Sequence, residues 1–134
     1  MAYWLLKTEP STYSFADLQK EKRTAWTGVK NAAAQKHMRS MKVGDTLLIY
    51  HTGDEKSVVG YGKVLKESYP DPTDKTGKMA AVDIAPGDPV KTPVTLAQIK
   101  ADPKFKDWGL VRIGRLSVVP TPKEIFDAVA RLGK

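Results

Sequence analysis

The chain has 134 residues, the length of one domain that can bury a core of its own. Hydrophobic residues make up 41% and charged residues 28% of it, as in ordinary globular proteins, and no apolar run reaches the roughly 20 residues that cross a bilayer. The absence of cysteine excludes a disulfide framework, a thiolate zinc site and a cysteine nucleophile. The first residues lack a basic leader and a cleavage site. These features predict one domain over residues 1–134, located in the cytoplasm and independent of membranes.

The charge balance is the first indication of a partner. Twenty-two Lys and Arg residues face fifteen Asp and Glu residues, which gives a net charge of +7 and a pI of about 9.6. Such a surplus favours a polyanion, because each neutralised phosphate releases condensed counterions. Most of the surplus is lysine, so a lysine-rich solvated surface is the alternative, and charge alone leaves both open.

The first half of the chain predicts strands separated by short helices. Residues 3–8 are apolar on both alternating faces, which is typical of a strand covered on both sides. Two helices are predicted from their caps: one over 14–18 with Ser14 as N-cap, and one over 32–41 with Asn31 as N-cap. In the second helix Ala34, Met38 and Met41 share an inward face, while Lys36 and Arg39 point to solvent. A turn at 42–45 leads to strands at 46–51 and 58–68.

The second half adds shorter elements. The pattern predicts a loop at 69–78, a strand at 79–85 and a helix at 95–102 capped by Thr95. Two strand-like pieces follow, at 109–113 and 115–120. Asp83 and Asp88 flank a predicted Pro-Gly turn. Residues 121–124 read as a capping box that opens a helix through Leu132, with Ile125, Phe126, Val129 and Leu132 inward. Five or six strands without regular βαβ alternation predict an α+β fold, built as a small barrel with flanking helices.

Catalytic and metal-binding motifs are missing from the sequence. It contains no GxxxxGK[ST], GxSxG, HExxH or GxGxxG pattern. Neither His37 nor His51 has a partner at ligand spacing. We therefore expect no metal, no cofactor and no catalytic residue.

The stretch Ala25-Trp26-Thr27-Gly28-Val29-Lys30-Asn31 is the first candidate for a site. Trp26 ends a short β-like piece, Gly28 permits unusual backbone angles, and Asn31 begins a helix whose N–H groups attract anions. An indole in this setting can form a pocket wall on which a base stacks, for about 1–3 kcal/mol. The alternative is a tryptophan that fills the core, and composition alone favours the core.

Two further segments carry candidate polar groups. Glu9 follows the first strand and is fixed by Pro10, so its carboxylate could accept from an exocyclic amine such as cytosine N4; a solvated turn glutamate or a partner for Lys7 is the alternative. The segment 112–117 (RIGRLS) supplies two of the five arginines beside a glycine and a hydroxyl. Arginine suits phosphate or base edges, but surface arginines of a strand fit equally well.

Taken together, these segments resemble the EVE domain, a branch of the PUA-like superfamily related to the YTH readers of methylated adenine. The resemblance covers nearly the whole chain and rests on six motifs in order: WLLKTEPSTYSF (4–15), WTGVKN (26–31), MRSMKVGD (38–45), YHT (50–52), YPDPT (69–73) and RLSVVP (115–120).

The resemblance implies a PUA-like β-barrel whose pocket receives a modified, flipped-out base from DNA or RNA, in a monomeric protein that is not an enzyme. An acid at Glu9 points to an amine donor and hence to a modified cytosine. The expected base pocket comprises Glu9, Trp26, Thr27, Gly28, Val29, Asn31, His51, Thr52 and Ser117. The expected phosphate contacts are Lys7, Lys30, Lys36, Arg39 and Arg115.

The chain departs from the family pattern around the helix start. Lys30 stands where the family usually has arginine, Gln35-Lys36 where an Arg-Asn pair is common, and YHT replaces YHS. Lysine keeps the charge but loses the bidentate fork, so an arginine-specific base contact is not expected.

Two other functions stay open at the level of sequence. The related ASCH domains include hydrolases of modified nucleosides with a GxKxxExR pattern; Gly28-Val29-Lys30 fits its first half, but Ala33 and Gln35 occupy the acid and base positions. The other alternative is an accessory module that binds a protein partner.

Overall fold

In the computed structural model, which describes residues 2–134, six strands form one mixed sheet accompanied by five α-helices. The strands are β1 (Tyr3–Thr8), β2 (Thr24–Trp26), β3 (Thr46–His51), β4 (Ser57–Pro70), β5 (Ala80–Thr95) and β6 (Val118–Thr121). The helices are α1 (Phe15–Glu21), α2 (Ala32–Ser40), α3 (Leu96–Ala101), α4 (Gly109–Arg112) and α5 (Lys123–Leu132), with a 3-10 turn at Pro103–Phe105. The predicted α+β class and strand number are confirmed.

The sheet has the strand order β2-β5-β4-β3-β1-β6. Only β1 and β3 run parallel, and the other neighbours are antiparallel. The two edge strands are short, with three residues in β2 and four in β6. Within residues 2–134 these edges do not pair with each other, so the barrel expected from the sequence is not closed by hydrogen bonds.

The interior strand β1 is covered on both faces, as its pattern predicts. Trp4, Leu5 and Leu6 are all buried in the hydrophobic core. The Trp4 indole N–H donates to the buried Asp45 carboxylate over 2.9 Å, and the N–H groups of Ala2 and Lys42 donate to it as well. Burial raises the pKa of Asp45, but these hydrogen bonds outweigh it and leave the pKa below its ordinary value. The turn at 42–45 is thereby fixed to the start of β1.

The predicted helix caps are confirmed at three positions. The side chain of the cap accepts a backbone N–H of the first turn in each case, at Ser14, Asn31 and Thr95. In α2 the predicted inward residues are fully buried and Lys36 and Arg39 are exposed.

The predictions for the C-terminal third were partly wrong. Residues 109–112 form one helical turn instead of a strand, because burial of Leu110 in the core overrides β-type composition. Thr121 does not cap α5: it pairs with Tyr3 in the sheet, its hydroxyl donates to the Val119 carbonyl, and the helix begins at Lys123.

The end of α5 also differs from its prediction. Leu132 is 40% exposed, whereas Ile125 and Val129 are buried as expected. Gly133 takes the inward place, since a Cβ there would lie 2.4 Å from Val90.

The long hairpin of β4 and β5 extends past its predicted bounds. β4 continues to Pro70, so the loop is confined to residues 71–79. The predicted Pro-Gly turn at 86–87 lies inside β5, where Pro86 and Pro89 coincide with shifts in register. Proline cannot donate to the ladder, which explains irregular pairing instead of a chain reversal.

Candidate nucleic-acid interface

A cavity of about 560 Å³ lies where the two free edges of the sheet fail to meet. One side is formed by β2 and the segment after it, and the other by the end of β1 and by Ser117, which precedes β6. The lining residues are Lys7, Thr8, Glu9, Thr12, Tyr13, Thr24, Ala25, Trp26, Thr27, Gly28, Val29, Lys30 and Ser117. The cavity volume lies within the range of about 300–1,000 Å³ typical of small-ligand sites.

Trp26 is an open wall of this cavity. It sits at the end of edge strand β2, paired with Val82 on one side, and its side chain is only partly buried. The Tyr13 ring meets it edge-on, with ring centroids 6.0 Å apart at 80°. Burial and the hydrogen bond to Glu21 raise the pKa of Tyr13 to about 12, so the phenol is neutral at physiological pH. The indole therefore contacts a second aromatic ring of the cavity lining and is not sealed in the core.

The segment after Trp26 is held by Asp71, a residue far along the chain. Gly28 has φ +75°, and its N–H donates to the Asp71 carboxylate over 2.9 Å. The N–H and hydroxyl of Thr73 donate to the other oxygen. Burial raises the pKa of Asp71, but the bonds from Thr73 and Gly28 outweigh it and the pKa lies below its ordinary value. Asp71 is thus a buried, ionised acceptor that fixes the cavity wall.

Gln35 fixes the same segment from the side of α2. Its amide Nε2 donates to the Val29 carbonyl over 2.6 Å and also to the Ala80 carbonyl, and its Oε1 accepts the Ala80 N–H. Gln35 is 1% exposed, so these bonds satisfy a buried amide. The backbone of Gly28 and Val29 is consequently clamped on both sides.

Glu9 presents an exposed carboxylate to the cavity from the end of β1. Its Oε1 accepts the N–H and hydroxyl of Ser11 at 3.3 and 3.2 Å, and its Oε2 accepts the Thr52 hydroxyl at 3.2 Å. A carboxylate has about four lone-pair sites, so these contacts orient Glu9 and leave it able to accept from a ligand.

The cations divide into those that line the cavity and those that lie outside it. Lys7 lines it, and its Nζ donates to the Gly114 carbonyl over 2.9 Å; burial lowers the pKa of Lys7. Lys30 also lines it and is exposed. Lys36, Arg39 and Arg115 are exposed outside it, with Arg39 bonded to the Lys78 carbonyl.

The structure brings together six of the nine residues predicted for the base pocket: Glu9, Trp26, Thr27, Gly28, Val29 and Ser117. The other three do not line the cavity. Asn31 caps α2, the Thr52 hydroxyl donates to the Glu9 carboxylate, and the buried His51 accepts the Phe15 N–H at Nε2. Each of the three orients a neighbouring segment.

Several lining or supporting residues were missed by the sequence analysis. Tyr13 and Asp71 lie inside motifs that carry the family resemblance, TEPSTYSF and YPDPT, which was the available signal. Gln35 was noted only as a departure from the family, and nothing local in the sequence indicates its buried bonds to Val29 and Ala80.

Residues 2–134 lack both a metal-ligand cluster and a helix that could span a membrane. This part of the chain has no group of three or more His, Cys, Asp or Glu side chains arranged to hold a metal ion. None of its helices is both long and apolar enough to traverse a bilayer.

The fold and the cavity together define an α+β domain with an aromatic-walled, lysine-lined cavity at the gap in its sheet. The EVE domain model matches residues 2–132, so the chain belongs to the EVE domain family.

Relatives and solved structures agree with this assignment. A solution structure of a Rhodopseudomonas palustris protein is 44% identical, with a TM-score of 0.94 over 99% of this chain and 93% of that one. Thymocyte nuclear protein 1 of Gallus gallus is 32% identical over 97% of this chain and 68% of its own length. Human THYN1, solved in complex with 5-methylcytosine-containing DNA, is 29% identical with a TM-score of 0.92, over 100% of this chain and 98% of that one. The relatives' name refers to the nucleus; the cytoplasmic location expected for this chain stays a prediction.

Proposed function

We propose that this protein is a non-enzymatic reader that binds nucleic acid and holds a modified cytosine, flipped out of its strand, in the cavity beside Trp26. The human relative solved with 5-methylcytosine DNA supports nucleic acid with a modified base as the ligand class. DNA is the ligand we favour, and RNA is an outcome of the test.

The observation that carries the proposal is the pairing of an open indole with an oriented carboxylate in one cavity. Trp26 offers a π-face for stacking, and Glu9 offers an acceptor for an exocyclic amine. Cytosine carries such an amine at N4, whereas thymine presents a carbonyl there. A base-edge acceptor beside a stacking wall fits cytosine better than thymine.

Cations near the cavity fit the backbone of the same strand. Lys7 and Lys30 line the cavity, and Lys36, Arg39 and Arg115 are exposed outside it in a chain of net charge +7. Lys30, in the described part of the chain, makes no hydrogen bond or ion pair, so its ammonium is available to a phosphate.

The residues at the ASCH-like positions support binding without catalysis. Lysine becomes a nucleophile when it is desolvated or lies beside another cation, whereas Lys30 is exposed to water. Ala33 has no acid-base group, and the Gln35 amide is fully used in holding Val29 and Ala80. The ASCH-like positions therefore supply neither an activated nucleophile nor an acid–base pair.

The test is a set of binding titrations with short labelled oligonucleotides that differ at one base: cytosine, 5-methylcytosine or thymine, in DNA and in RNA. We expect preference for the methylated cytosine, and log affinity that falls with log salt by about 0.9 per phosphate contacted on duplex DNA. Trp26→Ala should lose about tenfold or more in affinity, because base stacking contributes about 1–3 kcal/mol.

Glu9→Gln separates the base contact from general charge. It should weaken 5-methylcytosine binding by about 1–3 kcal/mol more than thymine binding, since it removes the charge and replaces one of two acceptor oxygens with an N–H donor, which suits a carbonyl better than an amine. Glu67→Gln is the matched control: an exposed carboxylate that pairs with Lys42 away from the cavity. Equal losses for both bases, or no preference for any modified base, would count against the proposal.

A further inference from the structure

The segment between α4 and β6 presents an apolar side chain among arginines. Ile113 is 53% exposed, and Arg112 and Arg115 on either side of it are exposed as well. Arg112 has an exposed ion pair with Asp107 at 3.3 Å, which contributes little stability in water. Arg115 makes no hydrogen bond or ion pair with any residue from 2 to 134. The proposed base pocket does not use this combination.

The backbone places this segment at the cavity. Lys7, which lines the cavity, donates through Nζ to the carbonyl of Gly114, the residue after Ile113. The Lys7 N–H also donates to the carbonyl of Ser117, another lining residue, over 2.9 Å. Of the exposed large hydrophobic side chains in residues 2–134, Ile113 is the one next to a residue that is hydrogen-bonded to the cavity lining.

The backbone of the segment between α4 and β6 is fixed by hydrogen bonds on both sides of Ile113, and Gly114 is open to solvent. The Ile113 N–H donates to the Gly109 carbonyl over 2.8 Å, and the N–H of the buried Leu116 donates to the Ile113 carbonyl over 3.0 Å. A Cβ at Gly114 would meet no atom within 4 Å. A fixed backbone that projects into open space can carry its side chain into a ligand without rearranging.

Flipping a base out of a duplex leaves a gap in the stack. Proteins that unstack DNA commonly insert an apolar side chain such as Ile, Leu or Phe between base steps, with cations on the flanking phosphates. An exposed isoleucine between two arginines, at the rim of a cavity proposed to hold the flipped base, has this composition and place.

We propose that Ile113 is a wedge that enters the base stack beside the flipped cytosine, with Arg112 and Arg115 on the neighbouring phosphates. This inference rests on the proposed function and deepens it, because it makes double-stranded DNA the substrate. A single strand has no stack to fill across the gap, so it does not need the wedge.

The experiment compares one 5-methylcytosine-containing strand alone and annealed to its complement, titrated by fluorescence anisotropy against wild type and three variants. Ile113→Ala removes the wedge, and Ile113→Leu retains an apolar one. Val43→Ala is the control, since Val43 is 60% exposed at a turn that does not line the cavity. All substituted positions are exposed, and thermal unfolding checks that the variants stay folded.

Ile113→Ala is expected to weaken duplex binding about tenfold, the value of burying most of an isoleucine side chain, and to leave single-strand binding within about twofold. Ile113→Leu and Val43→Ala should match wild type on both ligands.

Any of three results would overturn the wedge. Ile113→Ala could weaken binding of both ligands equally, or it could leave duplex binding unchanged. The third is a wild-type protein that binds the single strand but not the duplex. The proposed function survives all three of these results. Loss of any preference for the modified base, on both ligands, overturns the proposed function and the wedge with it.

Discussion

Two buried polar residues determine the shape of the cavity more directly than the residues that line it. Asp71 accepts the Gly28 N–H, and Gln35 donates to the Val29 carbonyl, so the peptide groups next to Trp26 are fixed from both sides. Hydrogen bonds that involve a charged group contribute about 1.5–3 kcal/mol, and the low exposure of Asp71 places it among the strong ones. Gly28 adopts its positive φ without steric cost, and the bond to Asp71 fixes its peptide group in place.

Asp71→Asn tests this support. Asparagine can accept at one position only, so either Gly28 or Thr73 loses its partner, and we expect a loss of about 1–3 kcal/mol in the free energy of unfolding. Affinity for a 5-methylcytosine oligonucleotide should fall beyond what the unfolded fraction explains. Asp74→Asn is the control, because Asp74 makes similar bonds in the same loop without reaching Gly28. If both variants lose stability alike and neither alters affinity, Asp71 has no part in positioning the site.

The stabilisation that the Asp71 carboxylate gives the fold depends on pH. The folded-state pKa of Asp71 lies below its ordinary value, so the stabilisation is present above the unfolded pKa and is lost as the pH falls below about 4. As the pH falls below about 4, the free energy of unfolding of wild type should therefore decrease more than that of Asp71→Asn, as measured by urea titrations.

At the scale of elements, α1 packs closely against the sheet at Phe15. Phe15 begins α1 and is buried, and its ring lies against Gly60 of β4. A Cβ built at Gly60 would be 2.3 Å from the ring. The glycine in this strand permits the close approach of an aromatic ring.

Gly60→Ala should therefore destabilise the fold by about 1–3 kcal/mol, since a ring in a packed core has to move to admit a methyl group. Gly114→Ala is the matched control, because a Cβ there meets nothing within 4 Å, and its effect should stay within about 0.5 kcal/mol. Urea unfolding of the two variants measures the difference. Equal stabilities would show that α1 adjusts freely over β4.

Elements with local signals were predicted well from sequence. Ser14, Asn31 and Thr95 cap helices because a short polar side chain reaches an N–H two or three residues on, which depends on no distant contact. The predictions for residues 109–112 and for Thr121 were wrong because contacts with distant residues determine the structure there. Leu110 is drawn into the core, and Tyr3 holds Thr121 in the sheet.

At the scale of the whole molecule, the cavity is a consequence of topology. Glu9, Trp26 and Ser117 come from three separate parts of the chain and meet because β2 and β6 are the two ends of one sheet. The family resemblance could name these residues, but no local pattern indicates that short edge strands leave a gap. For the same reason, sequence could not tell that His51 supports a neighbouring segment, or that Asn31, although predicted as a helix cap, does not also line the site.

Binding of the base beside Trp26 is tested most directly by nuclear magnetic resonance. The three indole N–H signals are followed while a 5-methylcytosine oligonucleotide is added. Trp4 and Trp108 are buried, at 7% and 4% exposure, and line a different cavity, whereas Trp26 lines the proposed base pocket. Trp26→Phe identifies its signal by deletion. We expect the Trp26 signal to shift most, and the unmethylated oligonucleotide to move it less at equal concentration. Saturable binding that leaves Trp26 unmoved, or that moves Trp4 and Trp108 instead, would contradict it.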